Sequence, residues 1–131
     1  MKKDDILITD QIIREFAEFS GDKNPLHLDE SFAARGPFKK RIAHGTIILA
    51  KISKLITDVV GEGSILLSEE VKFLKPVFID DKISLKTSKN IQNDKGVNEL
   101  FIEAVNQNNQ VVLECRAICK RLYIKNDNKL S

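Results

Sequence analysis

The chain has 131 residues, 42% of them apolar and 31% charged, a composition that reads as one globular domain rather than a disordered segment. Its 21 Lys and Arg against 19 Asp and Glu leave a net charge of +2, too small a balance to argue for a nucleic-acid surface. No apolar run approaches the ~20 residues of a membrane span; the best candidate, residues 46–56, is interrupted by Lys51 and Lys54.

The opening MKKDDILITD lacks the apolar core of a secretion signal, so a cytoplasmic location is expected. Residues 5–8 (DILI) read as a short first strand. Thr9 or Asp10 is placed to cap a helix whose apolar stripe is Ile12, Ile13, Phe16 and Ala17. Ser20-Gly21 stops it, because glycine best tolerates a left-handed C-terminal conformation. Pro25 disfavours helical geometry at Asn24, so residues 21–28 are expected to be an ordered turn rather than a continued helix. DESFAAR, 29–35, fits one or two helical turns capped by Asp29, and Gly36-Pro37 breaks them. Lys39-Lys40-Arg41 reads as a solvated loop.

A longer helix is predicted from His44-Gly45-Thr46 to Val60, closed by Gly61. Ile47, Ile48, Leu49, Ile52, Leu55, Ile56, Val59 and Val60 exceed a one-sided stripe, so this helix is expected to be buried in the middle of the fold. Beyond Gly63 the pattern predicts strands over 65–78, 82–91, 97–107 and 110–124, the first bending or bulging around Pro76. Short links predict that consecutive strands are antiparallel neighbours. The fold class is α+β: a long central helix wrapped by a curved antiparallel sheet, in a single domain of residues 1–131. Its core spans residues 5–125, and the polar tail at 126–131 is expected to be loose. Cys115 and Cys119 fall on one predicted strand, where their Cα atoms stand roughly 13 Å apart. A disulfide tolerates at most about 7 Å, so free thiols are expected. C-x-x-x-C alone is poor evidence for zinc.

The run SGDKNPLHLD, 20–29, carries the candidate chemistry. A regular helix would put Asp22 and His27 on different faces. A turn built on Asn24-Pro25 folds them toward each other, able to hold one water between a carboxylate and an imidazole for general acid–base work. A loop with a solvated Asp and a half-buried His explains the same spacing without chemistry. A second feature is His44-Gly45, at the start of the buried helix. Free N–H groups there, backed by the helix dipole, make an anion site, and a thioester carbonyl placed there meets an oxyanion hole. The bland alternative is that Gly45 merely permits tight entry into the helix. Adding water across an enoyl thioester needs both sites: one for water and proton, one for enolate charge.

Ser20-Gly21-Asp22-Lys23-Asn24-Pro25-Leu26-His27 resembles the S-x-D-x-N-P-x-H motif of the MaoC-like (R)-specific enoyl-CoA hydratases and dehydratases. The resemblance continues through LDESFA (28–33), AHGTI (43–47), GEGS (61–64) and VKFLKPVF (71–78), and covers residues 10–120. It implies a hotdog fold, a homodimer or higher homo-oligomer, and reversible hydration of trans-2-enoyl-CoA to (R)-3-hydroxyacyl-CoA. It implies an acyl-CoA or acyl-carrier-protein thioester as substrate, with no metal and no other cofactor; no nucleic acid and no membrane are expected as partners on the charge and hydropathy given above. By position, Asp22 and His27 are the catalytic pair, the Gly45 N–H polarises the thioester carbonyl, and Asn24, Ser53 and His44 support the site. Arg41 departs from the Pro that the family often has there, and Asp80 from a usual Gly. The alternatives are an acyl-CoA thioesterase on the same fold and a noncatalytic acyl-thioester-binding module.

Overall fold

Ile6 and Leu7 form strand β1 (Ile6–Leu7), and the chain turns at Thr9 into helix α1 (Asp10–Ser20). The computed structural model describes residues 4–124 and 129–130. In it the Thr9 side chain accepts the Ile12 N–H at 3.1 Å, satisfying a donor the first turn leaves open. Gly21 closes α1 at φ 77°, and its N–H donates to the Ala17 carbonyl.

The turn expected over 21–28 is partly helical, because α2 (Pro25–Leu28) makes one helical turn. Asn24 stays non-helical (φ −53°, ψ 123°) and its side chain accepts the Leu26 N–H. Pro25 takes the first helical position, where no N–H bond is lost. The proline that blocks continuation of α1 thus starts the next helix. In α3 (Glu30–Ala34) the Asp29 side chain accepts the Phe32 N–H, the expected cap.

The long helix α4 (Thr46–Val60) has the expected bounds but a different environment. Ile48, Ile52, Ile56 and Val60 repeat every fourth residue and are buried with Ile47. Lys51, Ser53, Lys54, Thr57 and Asp58 are exposed, and Val59 is 37% exposed. The sheet covers one face of α4, so within this chain the helix is buried on one side rather than all round.

The sheet contains β1, β2 (Ser64–Phe73), β3 (Lys82–Gln92), β4 (Val97–Val105) and β5 (Val111–Arg121), in the order β1-β3-β4-β5-β2. Every pairing is antiparallel. Sequential pairing holds for β3, β4 and β5, but β2 pairs with β5 instead of β3. The reason lies in residues 74–81. Strand β2 stops at Phe73, and the N–H groups of Leu74 and Lys75 both donate to the Val112 carbonyl. Val77 then accepts the Ala43 N–H at 2.7 Å, Phe78 bridges to Ile42, and Asp80 donates to the Ile8 carbonyl. Pro76 therefore lies in a crossover that carries the chain across to β3, beside the far edge strand β1, and the bulge of β2 is between Leu66 and Ser68.

Alternate residues of the central strands form the core, as a strand period of two requires. Leu100, Ile102 and Ala104 of β4 are buried with Leu113, Cys115, Ala117 and Cys119 of β5. Ile48, Ile52 and Ile56 of α4 pack in the same cluster. Both cysteines are free thiols. The expected hotdog arrangement, a long helix held by a curved antiparallel sheet, is present. Lys129–Leu130 (β7) pairs with Tyr123–Ile124 (β6), so that part of the tail is in a ribbon; residues 126–128 and 131 lie outside the described residues. Among the described residues no helix is long and apolar enough to cross a membrane.

Candidate active site

The site begins where α1 ends. The Ser20 hydroxyl donates to the Phe16 carbonyl and accepts the Asp22 N–H at 3.0 Å. The Asp22 carboxylate accepts the Asn24 N–H at 3.2 Å, and the Asn24 amide oxygen accepts the Leu26 N–H at 3.0 Å. Two successive side-chain-to-backbone turns thus steer the chain into α2. Asn24 takes part in both of these turns.

His27, on α2, is buried to about nine-tenths. Its Nδ1 lies 2.7 Å from the Ile42 carbonyl oxygen. A carbonyl only accepts, so Nδ1 carries a hydrogen and Nε2 of the neutral ring keeps its lone pair. Burial is the largest influence on this imidazole and pushes its pKa below the ordinary histidine value. The neighbouring His44 acts in the same direction, while the Ile42 carbonyl and the Asp22 carboxylate oppose it. The net effect favours a neutral base.

His44 is 2% exposed and donates from Nε2 to the backbone carbonyl of Asp22 at 3.0 Å. Its ring lies 3.9 Å from that of His27, tilted by 30°, and 4.9 Å from Phe16. Its Nδ1 is buried without a hydrogen-bond partner among the described residues. Asp22, His27 and His44 each place one oxygen or nitrogen within 4.8 Å of the others. Two imidazoles and a carboxylate are also a metal-binding set by type. Here one nitrogen of each ring is already engaged by a backbone carbonyl.

Gly45 leads into α4. The first helical bonds are donated by Ile47 and Ile48 to the carbonyls of His44 and Gly45, so the N–H groups of Gly45 and Thr46 precede the ladder. Glycine here gives space beside Phe73 rather than a special φ, which is an ordinary −59°. A Cβ here would stand 2.5 Å from the Phe73 ring. His27 and Gly45 line one cleft of about 400 Å³. Phe38, Ile42, Ile48, Phe73, Val77 and Leu113 supply most of its apolar wall, and Lys75 also lines it.

Ser53 is not brought to the pair. It lies on the open face of α4, where its carbonyl accepts the Thr57 hydroxyl at 3.4 Å, and among the described residues its side chain has no bond to Asp22 or His27. Arg41 is the reverse case. Read from the sequence as part of a solvated loop, it is only 6% exposed. Its Nε donates to the His27 carbonyl at 2.7 Å, Nη2 to Asp10 at 2.6 Å, and Nη1 reaches Glu30 at 3.5 Å. Three acceptors displace water from this guanidinium, while Lys39 and Lys40 beside it are exposed. The sequence signal was hidden because the three acceptors come from three separate helices.

A family model described as the MaoC like domain matches residues 1–114. The chain belongs to the MaoC-like domain family. Among its relatives, an (R)-specific enoyl-CoA hydratase of Aeromonas caviae is 32% identical over 110 residues, 82% of each chain. A 3-hydroxybutyryl-CoA dehydratase of Methylorubrum extorquens is 46% identical over 72 residues. That match takes in 54% of this MaoC-like chain and 46% of the dehydratase, so the chain spans less than half the length of that relative. The solved structure of an (R)-hydratase from A. caviae involved in PHA biosynthesis superimposes with a TM-score of 0.81 at 29% identity, covering 88% of this chain and 89% of that one. The MaoC-like fold and its hotdog topology follow directly.

Proposed function

We propose that this MaoC-like protein reversibly hydrates trans-2-enoyl thioesters to (R)-3-hydroxyacyl thioesters, with acyl-CoA or an acyl-carrier-protein thioester as substrate. One observation carries the reading. The neutral His27 and the start of α4 at Gly45 front the same apolar cleft, with the Asp22 carboxylate within 4.8 Å of the imidazole cluster. The relatives named as hydratase and dehydratase support the same chemistry.

In this reading the acyl chain occupies the apolar cleft and the thioester carbonyl points at the Gly45 N–H. Asp22 and His27 hold one water. Its oxygen bonds to the β-carbon, one of its protons passes to the pair, and the pair delivers a proton to the α-carbon. Enolate charge on the thioester oxygen is stabilised meanwhile by the Gly45 N–H, a contribution of about 2.7–4 kcal/mol for one such donor. The pair ends as it began, and no metal or other cofactor enters the cycle. Asn24 and His44 hold the backbone around Asp22. Ser53 belongs to the reading only as a support from α4, without a bond to either member of the pair.

The reading includes residues 1–131 as a single domain and a homodimer as the working unit. In support, β2 is a sheet edge with Ile65, Leu66, Leu67 and Phe73 all exposed by more than 40%, and unpaired apolar edges seek partners. A cytoplasmic setting fits two free thiols.

Crotonyl-CoA tests the function. Loss of enoyl-thioester absorbance with formation of (R)-3-hydroxybutyryl-CoA is expected. Thiol release from butyryl-CoA in its place would identify a thioesterase, and tight binding without turnover would identify a noncatalytic acyl-binding module.

A further inference from the structure

We propose that Arg41 is a positioning residue for the hydration step: its guanidinium clamps the helical turn that carries His27 and ties that turn to α1 and α3. This inference rests on the hydratase reading above.

A single helical turn lacks the length to hold itself. Helix α2 spans only Pro25–Leu28, too short to hold its own geometry in water. Its shape must come from bonds to other elements. Residues 41 and 42 supply three of them. Arg41 Nε donates to the His27 carbonyl, the Ile42 N–H donates to the Leu26 carbonyl at 3.4 Å, and the Ile42 carbonyl accepts from His27 Nδ1. Backbone and imidazole of the same catalytic residue are therefore gripped from two consecutive positions.

Arg41 then carries the grip outward. The same guanidinium reaches Asp10 in the first turn of α1 and Glu30 in the first turn of α3. A planar fork with five N–H donors suits three acceptors in different directions, and a lysine ammonium does not reproduce that geometry. The side chain is buried, so its role is internal and not the capture of a substrate anion at the surface. Misplacing a reacting group by about 1 Å costs on the order of 10²-fold in rate, which gives this clamp a kinetic consequence beyond stability.

The experiment compares Arg41→Met, Arg41→Lys and Asp10→Asn with the unaltered protein, using crotonyl-CoA kinetics and ring NMR of the two histidines. Arg116→Met, whose ion pair with Glu99 lies on the outer sheet face away from the cleft, is the control. Arg41→Met is expected to lower kcat by at least about tenfold with KM within about twofold. Arg41→Lys should recover only part of that loss. Asp10→Asn keeps the arginine, alters a half-exposed carboxylate outside the core and so keeps the fold; it should shift kcat in the same direction by a smaller factor. The ring NMR reads the clamp without turnover. His27 is faced by His44, Asp22 and Arg41, with Glu30 and Asp10 behind the arginine. In Arg41→Met a loosened α2 admits water, so the ring should lose its fixed Nδ1–H tautomer and titrate at higher pH. Unchanged kcat, tautomer and titration in folded Arg41→Met and Asp10→Asn would overturn the proposal, as would an equal loss in Arg116→Met. If the unaltered protein hydrates no enoyl thioester, the functional reading falls alone, and the ring titration still decides whether Arg41 positions His27.

Discussion

The imidazoles of His27 and His44 face each other at 3.9 Å, and each braces the segment that carries the other. His44 donates to the Asp22 carbonyl five residues before His27, while the Ile42 carbonyl two residues before His44 receives the His27 Nδ1–H. Segments 22–27 and 42–45 are cross-linked by side chain in both directions. His44→Leu is therefore expected to lower crotonyl-CoA turnover at least about tenfold through loss of Asp22 placement. It leaves one carbonyl without its donor, so stability should fall by about 1 kcal/mol. Steady-state kinetics and urea unfolding measure the two effects separately.

The proposed catalytic pair gives a sharper outcome. Asp22 is exposed and His27 lies at a cleft wall, so Asp22→Asn and His27→Gln should both fold. Each should lose about 10²–10⁴ in turnover, the usual range for general acid–base groups. Full turnover in both folded variants would sink the mechanism.

The pH dependence follows from the His27 environment. Burial lowers its pKa in the folded protein below the ordinary 6.5. The unfolded chain therefore binds this proton at higher pH than the folded one. Stability is fully present above pH 6.5 and declines as pH falls through 6.5 toward the lower folded value, below which the loss is constant. The base form of His27 persists into the same acidic range, so activity should outlast the pH at which a free imidazole would be half protonated. Thermal melts of the unaltered protein and His27→Gln between pH 7 and 5 should converge, because the variant lacks this proton. Parallel curves would refute the burial argument.

Legibility in the sequence tracked the locality of the interaction. The bounds of α1 and α4, the Thr9 and Asp29 caps and the Gly21 stop were readable because each depends on residues within one or two turns. Asp22, His27 and Gly45, the residues of the proposed site, stand out by motif and spacing, and the turn between Asp22 and His27 is built from side-chain bonds of two to four residues' reach. The position of β2 beside β5 was not readable, since crossover residues 74–81 take their bonds from residues 8, 43 and 112. Arg41 looked like its lysine neighbours because its acceptors stand 11, 14 and 31 residues away. The apolar count of α4 overstated its enclosure, because a count cannot tell a covered face from one left open.

Cys115 and Cys119 should be inert in the native state. Both are buried, and burial, reinforced by nearby Glu69, pushes the Cys115 thiol up to about 12. Burial raises Cys119 as well. The thiolate is the reacting species, so alkylation at neutral pH should require unfolding. Iodoacetamide with mass spectrometry should find neither cysteine modified in native protein and both modified in denaturant. Rapid labelling of the native protein would contradict the packing of β5.

Gly45 offers a test in which space and chemistry separate. Its φ is ordinary, so alanine is conformationally allowed, but the added Cβ would meet the Phe73 ring at 2.5 Å. Phe73 is 58% exposed and can swing outward, so Gly45→Ala should cost at most about 1 kcal/mol, the low end of overpacking. The displaced ring and the new methyl both intrude where the proposed mechanism brings the thioester carbonyl to the N–H, so activity should fall by at least about tenfold. Phe73→Ala removes the clash but not the methyl. In Gly45→Ala/Phe73→Ala the stability loss should be smaller than the sum of the single losses, a coupling expected only for residues in contact. Activity should stay low, because the methyl still shields the N–H. Full recovery of activity in the double variant would show that Gly45 serves only to accommodate the ring, and would remove the oxyanion role from the start of α4.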